Sequence, residues 1–278
     1  MGVFDLPLAI NEKLYMNGGS NTSTVTVLVY TPDQDSWDEL SPPPVDRFTV
    51  ATLRGRLLVA GGKDKSTSRK TNIILTFNES PRQWVQSLPP MPKVLTFPGV
   101  VVYQNHLIII GGYDLTGANI ADVKILGTNN KWITAKRLPR TRDNYITCII
   151  GNIMYIVGQT TKKVFRIHLP SLISRASSGV WESVASVPFY WSSPIAIGNT
   201  LLAVGGSVSG EHGSNAISSI HLYDPTKNQW TQCGDLPEKM CTCYCIELSG
   251  KLYVLGGRRG GVTNSKSVYT YSNPIITQ

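Results

Sequence analysis

Charge is scarce in this chain: Asp, Glu, Lys and Arg make up 16% of its 278 residues, against roughly 25% in an average soluble domain. Long solvated helices and coiled coils are thereby excluded. No apolar run approaches the roughly 18 residues that a membrane helix needs. Met1 to Asp5 carry neither a basic region nor an apolar stretch, and Leu6 stands where an acylation motif wants Ser or Thr, so neither an export signal nor a myristoyl anchor is expected. Histidine is limited to four residues and cysteine to five. An odd number of thiols without an export signal argues for reduced cysteines and a cytoplasmic setting rather than a disulfide framework. What the chain has in quantity is turn chemistry, with 25 Gly and 17 Pro beside 41% hydrophobic residues. It reads as all-β.

A repeat organises it. Apolar runs ending in glycine recur six times, at Leu14 to Gly18-Gly19, Leu57 to Gly61-Gly62, Leu107 to Gly111-Gly112, Met154 to Gly158-Gln159, Leu201 to Gly205-Gly206 and Leu252 to Gly256-Gly257, with the first glycines 43 to 51 residues apart. Tryptophan keeps the same step: Trp37, Trp84, Trp132, Trp181 and Trp230 are 47 to 49 residues apart. Two unlike markers sharing one period identify a repeat architecture.

A two-residue turn precedes each run, such as Arg54-Gly55, Gln104-Asn105, Gly198-Asn199 or Ser249-Gly250. All six turns contain Gly or Asn, as tight hairpins with positive φ demand. A third apolar stretch and then the Trp segment follow, so each unit is a four-stranded antiparallel meander. Such a sheet buries its faces only by stacking on the next copy. The periodic Trp residues, each able to bury about 150 to 250 Å², are the expected filler between sheets.

An apolar run, Gly-Gly, a variable stretch, an aromatic, six residues and then Trp resembles the kelch repeat, as in Tyr30/Trp37, Phe77/Trp84 and Tyr223/Trp230; in the third copy Ile125 stands seven before Trp132. The resemblance covers essentially the whole chain. It implies one domain over 1–278, a six-bladed kelch β-propeller with blades near 3–40, 46–88, 94–138, 143–187, 191–236 and 241–278. Two copies depart from the pattern. The fourth has Gln159 for the second glycine and an insertion from Pro170 to Gly179; the sixth has no Trp after Gly256, so its outer strand is expected to be missing.

Meander geometry puts the short 1-2 turns at one end of the blades and the 2-3 loops and 4-1 crossovers at the other. Fourteen of the 26 basic residues fall in the second set, including Lys63, Arg69, Arg258 and Arg259 in 2-3 loops and Arg47, Arg140 and Arg142 in crossovers. The residue seven before each hairpin turn, where strand 1 begins, is Phe4, Arg47, Phe97, Asn144, Trp191 or Thr242. Arg and aromatic side chains dominate interface energetics. In BTB-kelch adaptors, which the chain resembles, substrate peptides dock on this end, and Pro139-Arg140-Thr141-Arg142 looks like a Pro-Arg-x-Arg found in some of their crossovers. His212 lies on the same side. The expected partner is a protein or acidic peptide. A phosphate track is not expected despite the net charge of +8, because neutral and acidic loops such as Tyr113-Asp114 interrupt the positive ones and nucleic acid needs continuity.

Cys241, Cys243 and Cys245 alternate. On a strand they share a face with neighbours about 7 Å apart, too wide for a metal without distortion, so packing is expected and no metal or cofactor. No oxidase Tyr/Cys/His constellation, sialidase box or phosphate-cradling loop is present. The resemblance implies substrate recognition for a cullin-type ubiquitin ligase, or a related scaffold. A kelch-fold enzyme acting on a small sugar or acid, and an actin-associated scaffold, stand as alternatives.

Overall fold

The structure, a computed structural model, describes residues 8–10, 12–18, 26–140, 145–174, 179–211, 215–259, 263–265 and 267–271. The chain divides into two compact units, 1–142 with 171–179, and 143–170 with 180–278.

The first unit holds three four-stranded antiparallel meanders. Blade one runs Leu8–Ile10, Lys13–Gly18, Thr26–Thr31 and Ser36–Leu40. Blade two runs Thr49–Leu53, Arg56–Ala60, Ile74–Glu79 and Arg82–Val85. Blade three runs Gly99–Tyr103, His106–Ile110, Val123–Leu126 and Trp132–Ala135. The second unit holds two further four-stranded meanders and one of three strands. Blade four runs Tyr145–Ile150, Ile153–Gly158, Val164–His168 and Glu182–Val184; blade five runs Ser193–Ile197, Thr200–Ser207, Ala216–Asp224 and Gln229–Met240. Blade six has Tyr244–Leu248, Lys251–Leu255 and Val268–Tyr271.

The 1-2 hairpins are tight because their central residues take positive φ, both of them in blades two, three and six and the first alone, Gly151 or Gly198, in blades four and five. Arg54 and Gly55 do so at 54° and 72°, and Ser249 and Gly250 at 51° and 73°, the primed-turn geometry that matches strand twist. The run that follows is buried on both sides: Leu58, Val59 and Ala60 of blade two are completely enclosed, as are Leu107 and Ile108 of blade three. Leu58 and Ile74 pack with Leu107 and Ile109 of the next blade; Val204 and Leu202 pack with Cys245 and Val254 in the same way. Each such side chain contributes about 1.5 to 3 kcal/mol of burial.

Two expectations are corrected here. The periodic Trp residues are not the main filler: Trp37 is 44% exposed and Trp84, Trp132, Trp181 and Trp230 are half-buried. They belong to the outer edge of each blade, where one side faces water. Three of the rings instead lie against third-strand aromatics, 4.9 Å between centroids for Tyr30/Trp37, 5.2 Å for Phe77/Trp84 and 5.1 Å for Tyr223/Trp230. In blade three the residue opposite Trp132 is Leu126, not Ile125, because a tighter turn, with Gly127 N–H donating to Lys131 O at 3.0 Å, shortens the connection. The blade-four insertion begins as a six-residue helix, Leu169–Ser174, anchored by the completely buried Leu169 and Leu172.

Candidate functional site

One backbone position defines the geometry at the loop end of the blades. Arg47, Phe97, Trp191 and Thr242 all have left-handed backbones, with φ of 55°, 52°, 54° and 52°, each two residues before its blade's first strand. Such conformations cost roughly 1 to 3 kcal/mol for a side chain other than glycine, so the surroundings must impose them. Backbone bonds between successive blades do: Phe97 N–H donates to Arg47 O at 3.1 Å, Trp191 N–H to Gln159 O at 3.0 Å and Thr242 N–H to Trp191 O at 3.0 Å. The second glycine of the described doublets, Gly62, Gly112, Gly206 and Gly257, completes the clamp. A Cβ on Gly62 would strike Asp46 O and approach Phe48 N to 3.2 Å; one on Gly206 would meet Tyr190 O at 2.9 Å. The Gly-Gly signature therefore exists to let strand 2 press against the residues flanking the left-handed position. With its backbone held, that position tolerates Arg, Phe, Trp or Thr.

In the first unit Arg47 and Arg69 are exposed, and Lys63 and Phe97 are half-buried. Lys63–Asp64 is a short strand paired with Val45–Asp46. The loop beyond it is ordered by Asp64, whose Oδ1 accepts from Ser66 N–H at 2.9 Å, Ser66 O–H at 2.6 Å and Thr67 N–H at 2.7 Å. These bonds, the Ser66 hydroxyl first, hold its carboxyl down to about 2. Arg69 is thus carried on a pre-formed turn, closed by Asp64 N–H donating to Arg69 O at 2.8 Å. Phe97 meets Tyr113 edge-on at 6.4 Å. The neighbouring loop repeats the device, with Asp114 accepting from Thr116 N–H at 2.9 Å and Ala118 N–H at 3.0 Å, and it lifts Leu115 to 66% exposure. Lys70 Nζ ties the two loops together through Asp114 O at 2.6 Å. Lys93 and Arg137 are both occupied by Asp122. Arg140 is exposed.

In the second unit Trp191 is only 8% exposed, and its indole N–H donates to Gly210 O at 2.9 Å. It packs and braces the blade-five loop. Arg258 and Arg259 form a short strand with Thr263–Asn264. Arg259 is bound by Glu238 at 2.5 Å and by Ser267 Oγ at 2.8 Å, while Arg258 is half-buried. Val208 is 57% exposed. Gly19, Arg142, Asn144 and His212 lie outside the described residues.

Sequence reasoning missed Leu115 and Val208, and the pairing of Glu238 with Arg259. An apolar residue inside an Asp-x-Thr-Gly turn was the available signal for Leu115, because the Asx bonds turn position two outward. Nothing local signals the Glu238 to Arg259 pair. At the opposite end of blades one and two, Tyr15, Arg56, Phe77 and Glu79 line a cleft of about 500 Å³, where burial and the Glu79 carboxylate raise the Tyr15 phenol.

The cysteine geometry also departs from expectation. None of the five cysteines is in a disulfide, and Cys241, Cys243 and Cys245 are buried, but the Sγ atoms of Cys243 and Cys245 are 3.9 Å apart rather than about 7 Å. Strand alternation starts only at Tyr244, and the left-handed Thr242 turns Cys243 toward its neighbour. Donation from the Cys245 thiol lowers Cys243, while burial raises Cys245 well above a free thiol.

A model of the kelch motif matches residues 192–237, the span from the start of blade five into its fourth strand. Kelch-like protein 35 of Homo sapiens is 30% identical over 171 residues, covering 58% of this chain and 27% of that protein. Kelch-like protein 23 of Homo sapiens is 22% identical over 231 residues, covering 82% of this chain and 39% of that protein. The chain thus spans well under half the length of these relatives. The solved structure of YjhT matches with a TM-score of 0.75 over 98% of both chains at 15% identity, a likeness of fold alone. Blades, repeats and likeness together define an all-β six-bladed propeller in which one blade has three strands. The chain is a kelch-repeat β-propeller with distant similarity to the kelch-like, BTB-kelch proteins.

Proposed function

We propose that residues 1–278 form a single kelch domain serving as a non-catalytic protein-binding module. In this reading it is the substrate-recognition part of a cytoplasmic, cullin-type ubiquitin-ligase adaptor or a related scaffold. The observation that carries the reading is the repeated left-handed position: a constant backbone bearing different side chains from blade to blade is how a recognition surface is varied without disturbing its scaffold. The pre-formed loops beside it support the reading, since side chains already held in place lose less freedom on binding. The partner is an acidic, extended segment with an apolar residue: Arg47 and Arg69 grip its carboxylates through their planar guanidinium groups, and Leu115 supplies apolar contact.

The test is affinity capture of partners from the source cell with the wild-type chain, an Arg47→Ala/Arg69→Ala variant, and an Arg56→Ala variant at the opposite end. The reading expects the double variant to lose partners that the Arg56 variant keeps. Recovery of the same partners by the double variant, or their loss only with Arg56→Ala, overturns it.

A further inference from the structure

Blade one is charged against the rest of the chain. From Leu14 to Asp46 there is no Lys or Arg, whereas Asp33, Asp35, Asp38, Glu39 and Asp46 are acidic, in a chain of net charge +8. Two of these carboxylates are carried by the outermost strand, Ser36–Leu40, and two by the turn that leads into it. Asp35 is occupied by the Tyr30 hydroxyl at 2.7 Å. Asp33, Asp38 and Glu39 are exposed, and among the described residues no cation pairs with them. The outer strands of the next two blades differ: Arg82 begins that of blade two, and Lys131 and Lys136 flank that of blade three.

The same strand has an unused backbone edge. It is last in its sheet and pairs on one side only, with Thr26–Thr31, and among the described residues none of its N–H or C=O groups enters a bond between blades. At its second position Trp37 is the only aromatic side chain among the described residues that stands open to solvent. Its ring leans on Tyr30, and its indole is not tied to a neighbouring blade as those of Trp84 and Trp230 are. A free edge offers main-chain pairing to an extended segment, and tryptophan is among the side chains that most often anchor an interface.

Charge selects the occupant. Two copies meeting at this strand would set carboxylates against carboxylates, whereas cross-strand pairs of opposite charge add to the pairing. Asp38 and Glu39 are consecutive and so point to opposite faces of the sheet. The partner strand therefore needs two consecutive cations, followed in antiparallel order by an apolar residue opposite Trp37.

We propose that the outer edge of blade one, Ser36–Leu40, is a docking strand for an extended basic segment of a protein partner, with two cations set against Asp38 and Glu39 and an apolar residue against Trp37. This surface is separate from the cationic loops and does not rest on the partner assigned to them.

The experiment titrates the full chain into a dansyl-labelled Thr-Val-Arg-Arg-Val-Thr-Val peptide, follows fluorescence anisotropy, and reads hydrogen exchange by mass spectrometry with and without the peptide. Saturable binding is expected, with exchange slowed at Ser36–Leu40. A peptide with Glu-Glu for Arg-Arg, and one with Pro-Pro for the Val-Thr after the arginines, which cannot donate to a ladder at either position, should each bind at least about tenfold more weakly. Both comparisons use the wild-type chain and stand even if a variant misfolds. Trp37→Ala and Asp38→Lys/Glu39→Lys should each weaken binding about tenfold or more, whereas Ile133→Ala, on the outer strand of blade three, should leave it unchanged. No binding of the Arg-Arg peptide, equal binding of the Glu-Glu or Pro-Pro peptide, unchanged binding by a folded charge-reversed variant, or protection that spares Ser36–Leu40 each overturns the proposal. Self-association that already protects this strand without peptide overturns it too, by giving the edge to a second copy.

Discussion

Trp230 donates its indole N–H to Ala185 O at 3.0 Å, and Trp84 donates to Ser41 O at 2.7 Å. Each acceptor follows the fourth strand of the preceding blade, so these tryptophans fasten neighbouring blades more than they fill the space between them. Trp132 has the same place in blade three, yet its buried indole nitrogen has no acceptor. Replacing tryptophan by phenylalanine should therefore cost roughly 0.5 to 1.5 kcal/mol more at Trp230 than at Trp132, the net worth of one hydrogen bond. Urea denaturation of the two variants measures the difference, and equal losses would mean that the bond to Ala185 contributes nothing. Gln159 offers the converse case. It stands where other copies have their second glycine, it is 2% exposed, and both polar atoms of its amide lack partners. Gln159→Met keeps the volume and removes two unsatisfied atoms, so stability should rise by about 1 kcal/mol or more. A lower denaturation midpoint would show that the amide is satisfied by bound water.

Between the blades' strands, the turns are stabilised by carboxylates. Asp64 and Asp224 are each pulled down to about 2, by the hydroxyls of Ser66 and Thr226 first and by backbone N–H groups of the same turns. A folded value below the unfolded one, near 3.9, means stability that is complete above that value and is lost as pH falls through the folded value. The acid limb of unfolding should accordingly extend from about pH 4 down to about pH 2, and Asp224→Ala should flatten it; an unchanged limb would remove the turn from the account. These turns also show what was legible beforehand. Strands and hairpins could be read because an apolar run, a Gly or Asn turn and a second apolar run each state their own geometry. The Asp64 loop could be placed but not shaped, since its form depends on which oxygen the neighbouring N–H groups choose. The spacing of the other copies points to Ile125 as the partner of Trp132, but one residue less in the turn moves the pairing to Leu126. The thiols of Cys243 and Cys245 were misplaced for a related reason: period-two alternation holds only inside a strand, and Cys243 is just outside one.

For the molecule as a whole, a net charge of +8 says less than where the unengaged charge lies. Position along the repeat placed the candidate residues at the loop end of the blades, but pairing decided their availability: Arg259 is engaged by Glu238, and Lys93 by Asp122, neither of which adjacency in sequence could show. Trp191 likewise turned out to brace a loop, while Leu115, unremarked in the sequence, stands out from one. Arg47 and Arg69 are therefore the cations on which the binding proposal rests most directly. With an acidic partner in hand, Arg47→Ala should weaken binding by roughly 1.5 to 3 kcal/mol, the range for a hydrogen bond between charged groups, and should leave the midpoint of thermal unfolding nearly unchanged because an exposed side chain contributes little to stability. Leu115→Ala should weaken the same partner without altering the salt dependence. Nucleic acid predicts a different pattern, in which affinity falls steeply and linearly on a logarithmic salt scale and each removed cation reduces the slope by about one. Isothermal titration at two salt concentrations separates the two. A steep slope that Leu115→Ala leaves untouched, with no loss of affinity in that variant, would transfer the basic loops from a protein partner to a polyanion.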